Sequence, residues 1–288
     1  MEENMQSTRN ILTRVFDKME KDALNEKNGD YVNENDGLIY CGVCHSPKQQ
    51  FKDIGGTLRK IPKNCICREK ELEKERQCWK ELEHQSILSD LRKQAFEDKL
   101  LQDQTFEAED GSLEHRNIGE NYVRKFEEME KENIGLLLTG PVGTGKTYLA
   151  SSIANALIEK EISVKMTNFA VILNDMMNLE INKNKYIENL NKYRLLIIDD
   201  FGMERDTPFA TEHIFNVIDS RYRANKPIIL TTNLSAKQLT SPNNLKEQRI
   251  YSRLLEMATP ILFTGENRRI ARMKEKARKV NTILMESR

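Results

Sequence analysis

The chain has 288 residues, enough for one large domain or a core with an appendage, and 31% of them are charged against 7% aromatic. Lys plus Arg and Asp plus Glu balance at 45 each, so no whole-molecule field favours nucleic acid and any such contact must come from a local patch. No apolar run approaches the roughly 18 residues that a bilayer span needs, and Met1-Glu2-Glu3-Asn4-Met5 has neither the basic start nor the apolar core of a signal peptide. The expectation is a soluble, cytoplasmic protein without membrane contact, in which clustered cysteines suggest metal before disulfide.

Residues 1–37 are polar, with Ile11, Leu12, Val15, Phe16 and Met19 recurring at helical spacing. Residues 38–67 hold four of the five cysteines among Gly, Pro and Lys. Cys41-x2-Cys44 and Cys65-x-Cys67 are two chelating pairs. Two such pairs complete a tetrahedron around one Zn²⁺ and leave no open position for catalysis, so the site is expected to be structural. So small a segment needs a metal to hold it together. His45 is an alternative ligand but is expected to face solvent, and Cys78 is expected to be a free thiol. Residues 68 to about 103 read as one charged helix. Its apolar residues (Leu72, Trp79, Leu82, Leu88, Leu91 and Leu100) are too irregular for a coiled coil and suggest a solvated connector.

From about Thr105 short apolar runs alternate with amphipathic helices. Strands are expected at Gly135–Leu138, Ile162–Met166, Leu195–Ile198, Ile228–Leu230 and Ile261–Phe263, with helices at 145–160 and 209–223 and a basic helix at the C-terminal end. Near-continuous apolar strands separated by helices predict an α/β fold with a parallel sheet covered on both faces. The organisation is therefore residues 1–67 containing the cysteine module at about 38–67, a helical linker over 68–104, and a domain over 105–288.

Gly140-Pro141-Val142-Gly143-Thr144-Gly145-Lys146-Thr147 lies between the strand and the helix that a P-loop requires. Gly140, Gly143 and Gly145 let backbone N–H groups, including that of Thr144, close around phosphate oxygens, and the helix N-terminus adds a favourable dipole. Lys146 is the expected point charge for the β- and γ-phosphates of ATP, and the Thr147 hydroxyl the expected Mg²⁺ ligand. Strand 195–198 ends in Asp199-Asp200, at the side of a parallel sheet where ligands gather. Asp199 is expected in the Mg²⁺ shell, and Asp200 is expected to orient or deprotonate the attacking water. Asn233, just beyond strand 228–230, is expected to hold that water or sense the γ-phosphate, although as a turn-former it also has a plainer role.

GPVGTGKTYLA (140–150), LLIIDDFG (195–202), SRYRANKPIILTTN (220–233) and QRIYSRLLEM (248–257) resemble, in order and spacing, the motifs of AAA+ ATPases. More narrowly they are similar to DnaC/DnaI-type helicase loaders and IstB transposition helpers of bacteria and their phages, over about residues 105–270. The resemblance implies an AAA+ P-loop NTPase with a short C-terminal lid and an ATPase site completed by a neighbouring subunit of a homo-oligomer. It implies Arg253 as a trans-acting arginine finger, with Arg249 as second choice. In Gly265-Glu266-Asn267-Arg268-Arg269 it implies Arg269 as sensor 2, in a register left open by one because Arg268 stands where an aromatic is usual. It further implies that the N-terminal cysteine module engages a replicative DnaB-type helicase, and that single-stranded DNA is a partner.

Basic residues that could meet DNA are Lys183, Lys185 and Lys192, and the terminal series Arg268, Arg269, Arg272, Lys274, Lys276, Arg278 and Lys279, which a solvated helix face would explain equally well. The leading expectation is an ATP-dependent loader of a replicative helicase onto single-stranded DNA. An IstB-like transposition helper and a nucleotide-binding adaptor with little turnover are the alternatives.

Overall fold

The computed structural model describes residues 29–107, 113–178, 180–204, 207–242 and 244–285. The amphipathic piece expected between Ile11 and Met19 lies outside them. Two compact units divide the chain, residues 1–85 and 86–288.

The first unit is two small hairpins followed by the start of a helix. β1 (Tyr31–Val32) pairs antiparallel with β2 (Ile39–Tyr40), and β3 (Gln49–Asp53) with β4 (Leu58–Pro62). The buried Gln49 side chain accepts a hydrogen bond from the Ile39 backbone at 3.0 Å, which ties one hairpin to the other. Among its described residues few apolar side chains are buried. Leu38, Ile39, Cys41 and Cys65 are the unit's described buried hydrophobics, whereas Val43, Phe51 and Leu58 are exposed.

Helix α1 (Ile66–Ala95) begins in this unit and ends in the second. Its first turns are as charged and solvated as the sequence predicts. Arg68 pairs with Glu71 at 2.7 Å and with Glu75 at 3.3 Å, and Trp79 and Leu82 are exposed. The last two turns depart from the connector expectation. Leu88, Ala95 and the following Phe96 are buried in the core of the second unit, in one cluster with Tyr122, Phe126, Leu149 and Ile153. A helix whose average composition is polar still buries the few residues that a neighbouring core can accept.

The second unit is built on a five-stranded, wholly parallel sheet of β5 (Gly135–Thr139), β6 (Val164–Asn168), β7 (Leu195–Phe201), β8 (Ile228–Thr232) and β9 (Ala258–Leu262), in the order β6-β7-β8-β5-β9. Leu195 to Ile198 and Ile228 to Leu230 are all 0% exposed, which is why both strands read as unbroken apolar runs. One face is covered by α2 (Leu113–Arg124), α3 (Phe126–Lys131) and α4 (Lys146–Ile158), together with the end of α1. The other is covered by α5 (Phe169–Met177), α6 (Lys183–Leu190), α7 (Pro208–Arg223) and α9 (Leu245–Met257), with α8 (Ala236–Thr240) adding Leu239. α10 (Arg268–Met285) follows β9, and Ile270, Met273, Val280, Ile283 and Leu284 on it are exposed.

One buried cation holds the starts of β7 and β8 together. Arg221, on α7, is 0% exposed and donates to Tyr193 O at 2.8 Å, Arg194 O at 2.8 Å and Pro227 O at 2.9 Å. Burial lowers its pKa to about 10, opposed by Tyr122 and Glu130, so the guanidinium remains charged at neutral pH. Arg221→Met should lower unfolding free energy by on the order of 3 kcal/mol, because three carbonyls lose a donor at about 1 kcal/mol or more each. Urea denaturation measures this, and a loss below about 1 kcal/mol would contradict the assignment.

Candidate nucleotide and metal sites

Between β5 and α4 the chain makes a loop that only glycine can follow at two points. Gly140 has φ +145°, and a Cβ there would lie 2.2 Å from Phe263 O. Gly143 has φ +81°, and its Cβ would lie 2.0 Å from Asn267 Oδ1. Both obstructing groups belong to the segment that follows β9. That segment also donates to the loop and its strand, from Phe263 N to Thr139 O at 2.7 Å and from Arg268 N to Gly143 O at 3.0 Å. The P-loop is thus clamped from one side by the β9–α10 connection, in a shape that a phosphate cradle needs.

On the other side it is tied to β7 and β8. The Lys146 amine donates to Gly140 O and Pro141 O, both at 2.8 Å, and to Asn233 Oδ1 at 2.9 Å. Burial pushes its pKa down, while Asp200 and Asp199 oppose that shift. Thr144 Oγ1 donates to Pro141 O at 2.9 Å. Thr147 Oγ1 donates to Asp199 Oδ1 at 2.9 Å, so the hydroxyl and carboxylate expected to share Mg²⁺ are adjacent. Burial pushes the Asp199 carboxyl above the usual carboxylate range, and its hydrogen bonds from Thr231 and Thr147 act the other way. Asp200 is exposed and has φ +54°, where the pairing of β7 with β8 shifts between Ile198 and Phe201.

These groups line a cleft of about 690 Å³ that carries Gly143, Lys146, Thr147, Asp199, Asp200, Asn233 and Arg269. Arg268 and Arg272 line it as well, so the register that the sequence leaves open by one is met by both residues. The donor set fits a magnesium-bound nucleoside triphosphate: cations and a glycine cradle for phosphates, a hydroxyl and a carboxylate for the ion.

Arg253 is not in the cleft. It forms an ion pair with Asp219 of α7, and its guanidinium lies 4.6 Å from the centre of the Phe215 ring. Arg249, one turn earlier on α9, is exposed. Sequence reasoning missed Thr231 and Asn267. Thr231 carried a signal, since in a strand residues 231 and 233 share a face. Asn267 carried none.

In the first unit the four expected cysteines converge, with the Sγ atoms of Cys41, Cys44, Cys65 and Cys67 all within 4.8 Å of one another. The turn that makes this possible closes by His45 N donating to Cys41 O at 2.9 Å, and Ser46 Oγ accepts from Ile66 N at 3.0 Å. The Cys44 thiol is pulled down to about 5, first by the Ser46 hydroxyl, while Cys67 is pushed up to about 12 because it shares its proton with Cys44. Burial raises Cys65. Thiols this close cannot all ionise unaided, and a divalent ion is what relieves that conflict. The set is compatible with one tetrahedral zinc. His45 is exposed and faces Tyr31, with Oη 3.3 Å from Nδ1, and Cys78 is exposed on α1.

Comparison with known proteins agrees with this geometry. The profile described as IstB-like ATP binding protein matches residues 67–276, and the chain belongs to that family. It is 28% identical over 162 residues to the replicative helicase loader DnaI of Bacillus subtilis, covering 52% of this chain and 51% of the relative. It is 32% identical over 145 residues to a protein described as ATP-binding in insertion sequence IS232 of Bacillus thuringiensis subsp. berliner, covering 49% and 57%. The chain spans about half the length of the curated relatives it matches. Among solved structures, the crystal structure of DnaI shares the AAA+ fold, with a TM-score of 0.52 and 24% identity over 62% of this chain and 98% of that one.

The purified chain should carry one zinc per molecule by elemental analysis. Cys41→Ser should lower that content and remove a thermal or protease-resistance transition of the first unit, while nucleotide binding by the second unit persists. Full structure and stability after exhaustive chelation would count against a structural metal.

Proposed function

We propose that this member of the IstB-like ATP-binding family is an ATPase that loads a replicative DNA helicase onto single-stranded DNA, acting as an AAA+ oligomer. The observation that carries the nucleotide chemistry is the convergence of Lys146, Thr147, Asp199, Asp200 and Asn233 on one cleft. In this reading Lys146 and the P-loop N–H groups hold the β- and γ-phosphates. Thr147 and Asp199 would hold Mg²⁺, which when bound neutralises charge between those phosphates. Asp200 orients a water for in-line attack at the γ-phosphorus and takes its proton, and Asn233 fixes the same water. The bond to the bridging oxygen breaks, leaving ADP and inorganic phosphate. Arg269, with Arg268 beside it, steadies the phosphates from the α10 side.

The site is completed in trans by the α9 face of a neighbouring copy. Arg253 is the residue the family pattern points to, yet using it there means giving up its pair with Asp219, whose side chain is 9% exposed. Arg249 is exposed and reaches outward without that loss. Specific activity of the wild type should therefore rise with protein concentration. Arg249→Ala should lower turnover with little change in melting. Arg253→Ala should also destabilise the fold by about 1–3 kcal/mol, the cost of leaving a buried charged group short of a partner. Turnover that is flat on dilution and intact in both variants would remove the intersubunit site.

Helicase loading is supported by the loader relatives and by a separate cysteine module available to grip a partner. The rival, delivery of a transposase, is favoured by insertion-sequence relatives of similar identity. For DNA, the exposed cations are Lys183, Lys185, Lys192 and those of α10, among which Lys183 lies 5.1 Å from the centre of the Phe209 ring and Lys279 pairs with Glu275 at 2.6 Å. The deciding experiment is capture by the full chain, with ATP, of a purified hexameric replicative helicase against a purified transposase of the insertion-sequence type. Capture of the helicase, weakened by Cys41→Ser, supports loading, and selective capture of the transposase overturns it.

A further inference from the structure

We propose that Thr231 is a positioning residue that sets both carboxylates of the nucleotide site through its single hydroxyl, an inference that rests on the ATP-hydrolysis reading above. Its side chain is inside the sheet, 0% exposed, and does not itself line the cleft. The hydroxyl donates its one proton to Asp199 Oδ1 at 2.5 Å and accepts from the Asp200 backbone N–H at 2.9 Å. Donor and acceptor capacities are both used, and each is spent on one of two consecutive acids.

The second bond explains how Asp200 holds its conformation. At φ +54° an aspartate occupies the left-handed region, which costs a residue with a Cβ on the order of 1 kcal/mol or more unless its surroundings fix it. The ladder between β7 and β8 is broken here, since pairing runs from Ile198 to Leu230 and resumes only at Phe201 to Thr232. The Asp200 N–H points to the Thr231 side chain instead of a strand carbonyl. The bulge turns the Asp200 side chain out toward the cleft, and the Thr231 hydroxyl replaces the ladder bond that the bulge removes.

The first bond constrains Asp199. Its Oδ1 also accepts from Thr147 Oγ1 at 2.9 Å, so one carboxylate oxygen is held from the P-loop helix and from β8 together. Two hydroxyls from separate elements restrict how the carboxylate can turn, and supporting groups of this kind typically change metal affinity or activity by about 10–100-fold when removed. Serine keeps the hydroxyl and valine keeps the shape, so the two substitutions separate positioning from packing.

The test uses the full chain as wild type, Thr231→Val and Thr231→Ser, with Lys146→Ala as the reference for loss of nucleotide binding. Binding of a fluorescent ATP analogue is measured with and without Mg²⁺, and turnover is titrated against Mg²⁺. Thr231→Val is expected to bind nucleotide without Mg²⁺ as the wild type does. It should need about 10–100-fold more Mg²⁺ for half-maximal effect and lose about 10–100-fold in kcat with KM for ATP little changed. Thr231→Ser should recover most of both. Wild-type Mg²⁺ dependence and kcat in Thr231→Val would overturn the proposal, as would a serine variant as impaired as the valine one. A wild type without turnover would instead sink the hydrolysis reading, and the Mg²⁺ dependence of binding would then decide on Thr231 alone.

Discussion

Strand order is the constraint from which the nucleotide site follows. The chain leaves β5 through the P-loop, crosses to β6 at the far edge of the sheet, and steps back through β7 and β8 until β8 lies against β5; β9 then closes the other side. In a parallel sheet every strand ends on the same side, so the groups at the ends of β7, β8 and β9 must meet the loop that leaves β5. The loop is accordingly held from two directions. Phe263 and Arg268 bond its carbonyls from the β9 side, and Asn233 takes the Lys146 amine from the β8 side. Several of its carbonyls and its lysine are engaged by protein, and of its amides Gly140 N–H donates to Thr232 O at 3.3 Å.

The same convergence divides charge within the cleft. Lys146, Arg268, Arg269 and Arg272 line one cavity together with Asp199 and Asp200, as do Glu97 and Asp98. Burial works against both sets, lowering the Lys146 pKa and raising that of Asp199. The two carboxylates partly restore Lys146, and the Thr231 and Thr147 hydroxyls partly relieve Asp199; a ligand carrying both signs would relieve both further. A triphosphate with its metal is such a ligand: phosphate oxygens answer the cations, and the ion answers the carboxylates.

Much of this was legible in the sequence because the physics is local. Leu195–Ile198 had to be a central strand, since no surface strand tolerates four consecutive apolar residues facing both ways. The glycines, Lys146 and Thr147 announced themselves by spacing. What escaped depends on convergence in space. Arg221 sits in a basic stretch that reads as surface, and only the fold brings three carbonyls around it. Leu88, Ala95 and Phe96 were masked by a helix whose average is polar. The register between Arg268 and Arg269 stays open, because residues 268, 269 and 272 begin one helix and all line the cleft.

The two units are stabilised by different means, and this bears on how they can act. Among its described residues the first buries few apolar side chains beyond Leu38, Ile39 and two cysteines, and its four thiols converge where a metal would add what that core lacks. The second rests on two extensive apolar layers. Their covalent link is not a free tether at its C-terminal end. After α1, the carbonyls of Leu101 and Gln104 accept from Asn155 Nδ2 at 2.8 and 2.9 Å, and that of Thr105 accepts from Tyr148 Oη at 3.0 Å. Both donors belong to α4, the helix that opens with Lys146 and Thr147. Residues 101–105 are therefore fastened to the helix that presents the phosphate-binding residues.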